Sequence, residues 1–88
     1  MNYKVIIKKK IVKRLNKLPE QVQDKLMNLV DDLSNNGPEQ PGWKNYCKLS
    51  STEFHCHLGY KWVACWRCEI NSITIEVYYA GSRENAPY

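Results

Sequence analysis

The sequence predicts an α+β fold: an N-terminal strand, an antiparallel helix hairpin, then a three- to four-stranded, mainly antiparallel sheet packed on the helices. Three observations carry this reading. Residues 3–8 alternate apolar and polar side chains, and residues 11–33 place apolar residues at helical spacing. From Tyr46 onward, short apolar stretches alternate or run continuously between turn residues.

The chain has 88 residues and 10.4 kDa, with 43% hydrophobic and 25% charged residues. Those proportions match folded soluble chains and exclude a wholly disordered one, as do three Trp and six Tyr. The length suits a single domain, residues 1–88, because two cores would not fit.

In the first element, Tyr3, Val5 and Ile7 alternate with Lys4, Ile6 and Lys8, as in a half-buried strand. Ile11, Val12, Leu15 and Leu18 then fall on one helical face with lysines opposite. Pro19 is tolerated in a first turn and costly inside a helix, so it ends this helix and opens the next. Val22, Leu26, Leu29, Val30 and Leu33 form the stripe of the second helix, and Asn35-Asn36-Gly37-Pro38 stops it. Pro38, Pro41 and Gly42 mark residues 38–45 as a loop.

Tyr46–Leu49 is a weak strand. Glu53–Leu58 alternates Phe54, Cys56 and Leu58 against Glu53, His55 and His57. Trp62–Glu69 is apolar almost throughout, as in a central strand buried on both faces. Asn71-Ser72 turns into an alternating strand carrying Ile73, Ile75, Val77 and Tyr79. The helix pair must cover one face of this sheet, because each apolar stripe needs a partner.

The net charge of +4 is unevenly spread. Residues 1–25 hold eight Lys or Arg against two acidic residues, a local charge of +6, and the remainder is net −2. The basic cluster Lys8, Lys9, Lys10, Lys13, Arg14 and Lys17 therefore suits an anionic partner such as nucleic acid or an acidic protein, its plainer alternative being a solvated helix surface. Val5-Ile6-Ile7 is too short for a signal-peptide apolar region, and no apolar run approaches the ~18–20 residues of a membrane span. A cytoplasmic protein with four thiols is expected.

His55 and His57 are the only histidines. Two apart on an alternating strand, they project from one face, opposite Phe54, Cys56 and Leu58. Paired imidazoles beside a cation suit RNA cleavage by its own 2′-hydroxyl: one group takes the proton, a cation stabilises the phosphorane, another group protonates the 5′-oxygen. The alternative is two solvent-facing histidines on a strand. Cys65-Trp66-Arg67-Cys68 does not suit zinc, because positions i and i+3 of a strand point to opposite faces. Buried thiols acting as small apolar side chains explain them better. The tryptophans Trp43, Trp62 and Trp66 suit core packing more than base stacking, and Trp62 and Trp66 share strand parity.

The whole pattern resembles the RelE/ParE superfamily of bacterial toxins. The opening strand, the pivot Lys17-Leu18-Pro19-Glu20 and the sheet contribute. The most specific piece is the ending Val77-Tyr78-Tyr79-Ala80-Gly81-Ser82-Arg83-Glu84-Asn85-Ala86-Pro87-Tyr88, similar to the last strand of those toxins with its Gly-x-Arg step and later tyrosine. The resemblance to the RelE branch implies a ribosome-dependent mRNA endoribonuclease that needs neither metal nor other cofactor. It also implies an antitoxin partner, with the toxin a monomer or part of a toxin–antitoxin hetero-oligomer, and contacts to ribosomal RNA and mRNA. His55 and His57 stand where that branch has a Lys-x-Lys pair, Arg83 matches its tail arginine, and Tyr88 its tail tyrosine, one residue closer to the glycine. Val63 falls at the position of a middle arginine, and Lys61 is the nearest cation.

The resemblance thus implies His57 or His55 as general base and the other as phosphate ligand or proton donor. Arg83 stabilises the oxyanion, and Tyr88 positions or stacks. A lysine base must be lowered far from ~10.4, whereas a histidine near ~6.5 needs no such tuning. Lys48 and Lys61 join the N-terminal cluster as expected RNA or ribosome contacts. The other branch implies a different activity on the same fold, inhibition of DNA gyrase without catalysis.

Overall fold

A computed structural model describes residues 2–88. Its elements are strand β1 (Lys4–Ile7), a one-turn helix α1 (Lys9–Val12), a 3-10 turn (Leu15–Lys17), helix α2 (Glu20–Asn36), and strands β2 (Cys47–Lys48), β3 (Glu53–Gly59), β4 (Trp62–Cys68) and β5 (Thr74–Ser82). The strands form one sheet in the order β1-β5-β4-β3-β2. β1 runs parallel to β5, and every other pairing is antiparallel. The α+β class and the mainly antiparallel sheet follow the expectation, and the weak Tyr46–Leu49 candidate reduces to the two residues of β2.

The first arm of the expected helix hairpin is corrected. Residues 9–18 do not form a continuous helix but one turn followed by a 3-10 turn. Lys9 and Lys13, Lys10 and Arg14, and Lys13 and Lys17 would stack like charges at i, i+4 along a longer helix. Its first turn has no acidic residue and its start no side-chain cap, so cations crowd the positive end of the dipole. The apolar spacing is still used, because Ile11 is buried and Leu15 and Leu18 pack against the core.

α2 is the expected stripe helix. The Pro19 carbonyl opens it by accepting from the Val22 and Gln23 amides at 2.9 and 3.0 Å. Gly37 closes it with φ +93°, its amide donating to the Leu33 carbonyl at 2.9 Å. A side chain there would be strained by φ and would also meet the Tyr3 ring at 3.0 Å.

Val22, Leu26, Leu29 and Leu33 of α2 lie on one face of the sheet, against Phe54, Cys56, Leu58, Ala64, Trp66, Cys68, Ile75 and Val77. Trp66 is fully buried in this layer, 6.0 Å from the Phe54 ring and 6.3 Å from Tyr46, and Trp62 packs at its margin on the same side. The Trp66 indole N–H donates to the Pro38 carbonyl at 2.9 Å. The loop after α2 is further tied by Gln40, whose amide donates to the Gly37 carbonyl at 2.9 Å, and by Trp43, whose indole donates to Asp32 Oδ2 at 2.8 Å.

β4 is buried on both faces, as its apolar run predicts, with Val63 and Cys65 fully buried on the side away from α2. A bulge in β5 lets Cys65 pair with Tyr79 and Trp66 with Val77, so Tyr78 is the extra residue. Its hydroxyl donates to Glu53 at 2.9 Å beneath the Arg67 guanidinium, 4.4 Å from the ring centre. Among the described residues, no helix is long and apolar enough to cross a membrane.

Leu29→Ala should lower the unfolding free energy by about 2–5 kcal/mol in a urea melt, through lost burial and the cavity left behind. Met27→Ala, one turn face away and 45% exposed, should stay within about 0.5 kcal/mol. Burial pushes the thiols of Cys56 and Cys65 up to about 12, whereas Cys47 is exposed. A thiol reagent at neutral pH should therefore label Cys47 in the native protein and reach Cys56 and Cys65 only after unfolding.

Candidate active site

The sheet face opposite α2 carries the polar constellation. β3 alternates strictly through His57, so Phe54 and Cys56 enter the core while His55 and His57 project the other way. Cross-strand register sets a row across this face: Cys47 beside His55, His55 beside Cys65, and Cys65 beside Tyr79. The two imidazole rings lie 6.3 Å apart. The structure thus brings both histidines to one face.

They differ in surroundings. The tail after β5 folds back over the sheet, and the Tyr88 ring stacks on His55 at 4.3 Å with the planes only 5° apart. His55 is left 8% exposed, and its Nδ1 is buried without a hydrogen-bond partner. Burial and then the neighbouring His57 lower its pKa from the ordinary value. Burial also raises the Tyr88 hydroxyl pKa, with Cys65 adding to it and Arg83 opposing.

His57 is only partly covered. Its amide donates to the Lys44 carbonyl at 2.9 Å, and its Nδ1 lies 3.2 Å from the Asn45 side-chain amide nitrogen. Burial lowers the His57 pKa, and the Arg83 and Lys44 charges push it the same way. A neutral imidazole facing two cations is the combination that accepts a proton while the cations attract a phosphate.

Arg83 is exposed, and its amide donates to the Lys61 carbonyl at 2.8 Å, so the β3–β4 turn braces the start of the tail. Lys61 therefore sits beside Arg83 in the backbone. The charges that act on His57 are those of Arg83 and Lys44. Sequence reasoning missed Lys44 and Asn45, because residues 38–45 read as a connector. The one local signal was an asparagine, the residue other than glycine that best tolerates a left-handed backbone, and Asn45 has φ +55°.

His57 and Lys44 also open onto a cleft of about 600 Å³ whose other wall includes Lys25, Asn28 and Asp31 of α2. On the opposite edge, Lys9, Lys10, Lys13, Arg14 and Lys17 are exposed, and Lys8 is half-buried. Lys10 and Arg14 share a shallow cleft with Tyr78 and Tyr79, so the basic segment adjoins the β5 side of the histidine face. Lys48 lies on the other face: it pairs with Phe54 and not with His55, and its exposed ammonium stands 5.7 Å from the Phe54 ring centre on the α2 side. Cys65 and Cys68 occupy opposite faces of β4, as strand geometry requires: Cys68 joins the helix-side core and Cys65 lies under the tail side.

Comparison with protein-family models and with curated protein sequences finds no match. Solved structures do match. A chain of the archaeal RelE–RelB complex from Pyrococcus horikoshii OT3 superposes with a TM-score of 0.75 at 19% identity, covering 98% of this chain and 100% of that one. The E. coli toxin RelE in the free state gives 0.74 at 15% identity, covering 98% and 88%. A chain of the E. coli DinJ–YafQ toxin–antitoxin complex gives 0.74 at 15% identity, covering 100% of both chains. One architecture underlies all three over nearly the whole length, and this chain has the RelE-like toxin fold.

Proposed function

We propose that this protein is the toxin of a type II toxin–antitoxin system and cleaves mRNA on the ribosome by 2′-hydroxyl attack. The observation that carries the reading is His57: a partly exposed, neutral imidazole facing Arg83 and Lys44, next to a second histidine on the same sheet face. The RelE-like fold and the resemblance of the tail to RelE toxins support it. On this reading residues 1–88 act as one domain in the cytoplasm.

In the reaction, His57 takes the proton of a ribose 2′-hydroxyl, and the 2′-oxygen attacks the adjacent phosphorus. The charges of Arg83 and Lys44 stabilise the pentacoordinate phosphate as it forms. The bond to the 5′-oxygen then breaks, leaving a 2′,3′-cyclic phosphate and a 5′-hydroxyl. His55 is the second acid–base group: once the Tyr88 ring moves off it, the ring meets water, takes up a proton from it and passes that proton to the departing 5′-oxygen. Tyr88 is the stacking surface beside the reacting nucleotides. No step needs a metal or cofactor.

The exposed cations Lys9, Lys10, Lys13, Arg14 and Lys17 supply contacts to ribosomal RNA, with Lys61 extending them on the other side of the tail. Lys48, exposed on the α2 side of the sheet, would meet RNA from that side. The antitoxin is an acidic or amphipathic protein segment that covers the same surfaces. Two of the matching structures are complexes of a toxin with its antitoxin, which supports that partner.

Induced expression with mapping of transcript 5′ ends tests the reading. Wild-type protein should halt growth and produce new mRNA ends, and His57→Ala should reduce cleavage about 10²–10⁴-fold, the usual contribution of a general base. Arg83→Ala should reduce it by a similar order. Growth arrest with intact mRNA and accumulating DNA breaks would replace the nuclease with a gyrase inhibitor. The pH dependence follows from the sign of the shift. Because the His57 pKa is lowered, the base form is full at neutral pH. The cleavage rate should be flat from about pH 7 upward on account of His57 and fall only below the usual histidine value of ~6.5.

A further inference from the structure

We propose that the groove between the start of α2 and the β3–β4 turn is a subsite for a nucleotide of single-stranded RNA beside the scissile bond, its base stacked on Tyr60 and its phosphate held by Lys25 and Lys61. The nuclease reading supplies the identity of this ligand; the shape and charge of the groove supply its place.

Three observations point to it. Gly59 pairs with Trp62 across the hairpin, so Tyr60 and Lys61 alone form its tip. The Tyr60 ring is 86% exposed, the most exposed large hydrophobic side chain among the described residues. It is not isolated on the surface, because it walls a cleft of about 330 Å³ between the tip and α2, together with Lys25, Leu58, Lys61 and Trp62. That cleft shares Lys25, Leu58 and Gly59 with the one that holds His57 and Lys44. The two are therefore consecutive stretches of one groove, with Lys25 at their junction.

Charge selects the occupant. The Tyr60 stretch is lined by two ammonium groups and no carboxylate. Neither lysine forms an ion pair among the described residues, where Arg67 pairs with Glu76. Carboxylates stand only to either side. Asp31 and Asp32 line the His57 stretch, Asp32 already accepting from the Trp43 indole, and Glu84 lies with Arg83 on the tail side of Tyr60. An aromatic face between unpaired cations suits single-stranded nucleic acid, since any base has a flat face to stack and each phosphate needs a cation. An acidic peptide would satisfy the lysines and leave the ring without a planar partner.

The placement also suits the reaction. Tyr60 follows His57 by three residues, roughly 10 Å of strand. RNA with its scissile phosphate at His57 thus runs past Lys25 and reaches the Tyr60 ring within a short step of its own chain. In-line attack needs the 2′-oxygen, the phosphorus and the 5′-oxygen on one axis, which a regular stacked strand does not provide. A nucleotide turned out of its stack loses a base neighbour, and an aromatic side chain replaces it. Tyr60 meets a flanking base and not the reacting atoms, so its role is binding.

The test is binding of a fluorescein-labelled single-stranded RNA hexanucleotide to the full chain, followed by anisotropy over a range of salt. Tyr60→Ala should weaken binding about tenfold and leave the salt dependence unchanged, because a lost stack releases no counterion. Tyr60→Trp should retain wild-type affinity. Lys25→Ala should instead flatten the slope of log affinity against log salt by about 0.7, the share of one phosphate contact on a single strand. Tyr60 and Lys25 are exposed, so both alanine variants should melt with the wild type. A duplex of the same sequence, whose bases are already stacked, should be indifferent to Tyr60→Ala. Wild-type protein that does not bind the hexanucleotide, or Tyr60→Ala and Lys25→Ala variants that bind it with wild-type affinity and slope, overturns the inference. So does loss of the antitoxin by these variants with RNA binding intact, which makes the groove a protein-docking site. Tyr60-dependent RNA binding alongside mRNA cleavage undiminished in His57→Ala supports the subsite and sinks the nuclease reading of His57 instead.

Discussion

Trp66 closes the core and, through one hydrogen bond, arranges the opposite side of the molecule. Its indole is fully buried among Phe54, Tyr46 and the α2 leucines, where an unpaired N–H would cost about 1–3 kcal/mol. The acceptor is the Pro38 carbonyl, in the loop that leaves α2. Satisfying the indole therefore pins the loop at its start. Gln40 and Trp43 fasten it to the end of α2, and the loop arrives at His57 with Lys44 and Asn45 already in place. Core packing and the arrangement of the site share one constraint.

Charge is divided between two tasks. The exposed N-terminal cations lie along the β5 side and provide a diffuse positive field, the kind that gathers polyanions without choosing among them. At His57 the charges of Arg83 and Lys44 act together, carried by segments that meet only in the folded chain. On the proposed function the first would attract RNA, and the second would keep a histidine neutral and a phosphate close. Tyr88 adds a third effect by excluding water from His55, which drives that imidazole toward its neutral form and leaves Nδ1 without a partner.

Periodicity was legible where burial is periodic. The stripe of α2, the strict alternation of β3 and the two-sided burial of β4 each leave a one-dimensional trace, and each reading agrees with the structure. The face carrying His55 and His57 followed from parity alone. The first helix was overread, because the apolar spacing of Ile11, Leu15 and Leu18 is helical whether or not the backbone between them is. Repulsion among lysines on consecutive turns shortens it, and apolar spacing does not register repulsion. Lys48 is a different case: a two-residue strand has no alternation to read, so its facing is decided by register against Phe54.

Composition, pattern and order along the chain were thus enough to establish the α+β class, the helix-covered face and the histidine pair, since burial repeats every two residues in a strand and every three or four in a helix. The surroundings of that pair belong to the tertiary structure. Asn45, Lys44, Arg83 and Tyr88 reach the histidines from a loop and a tail, 10 or more residues away from them in sequence. Nothing periodic links such segments. They meet because Trp66 and the Gln40 and Trp43 bonds hold the loop, and because the tail turns back over β4 at Lys61. Long-range packing, which leaves no local trace in the chain, makes one of two similar histidines an open ring and the other a covered one.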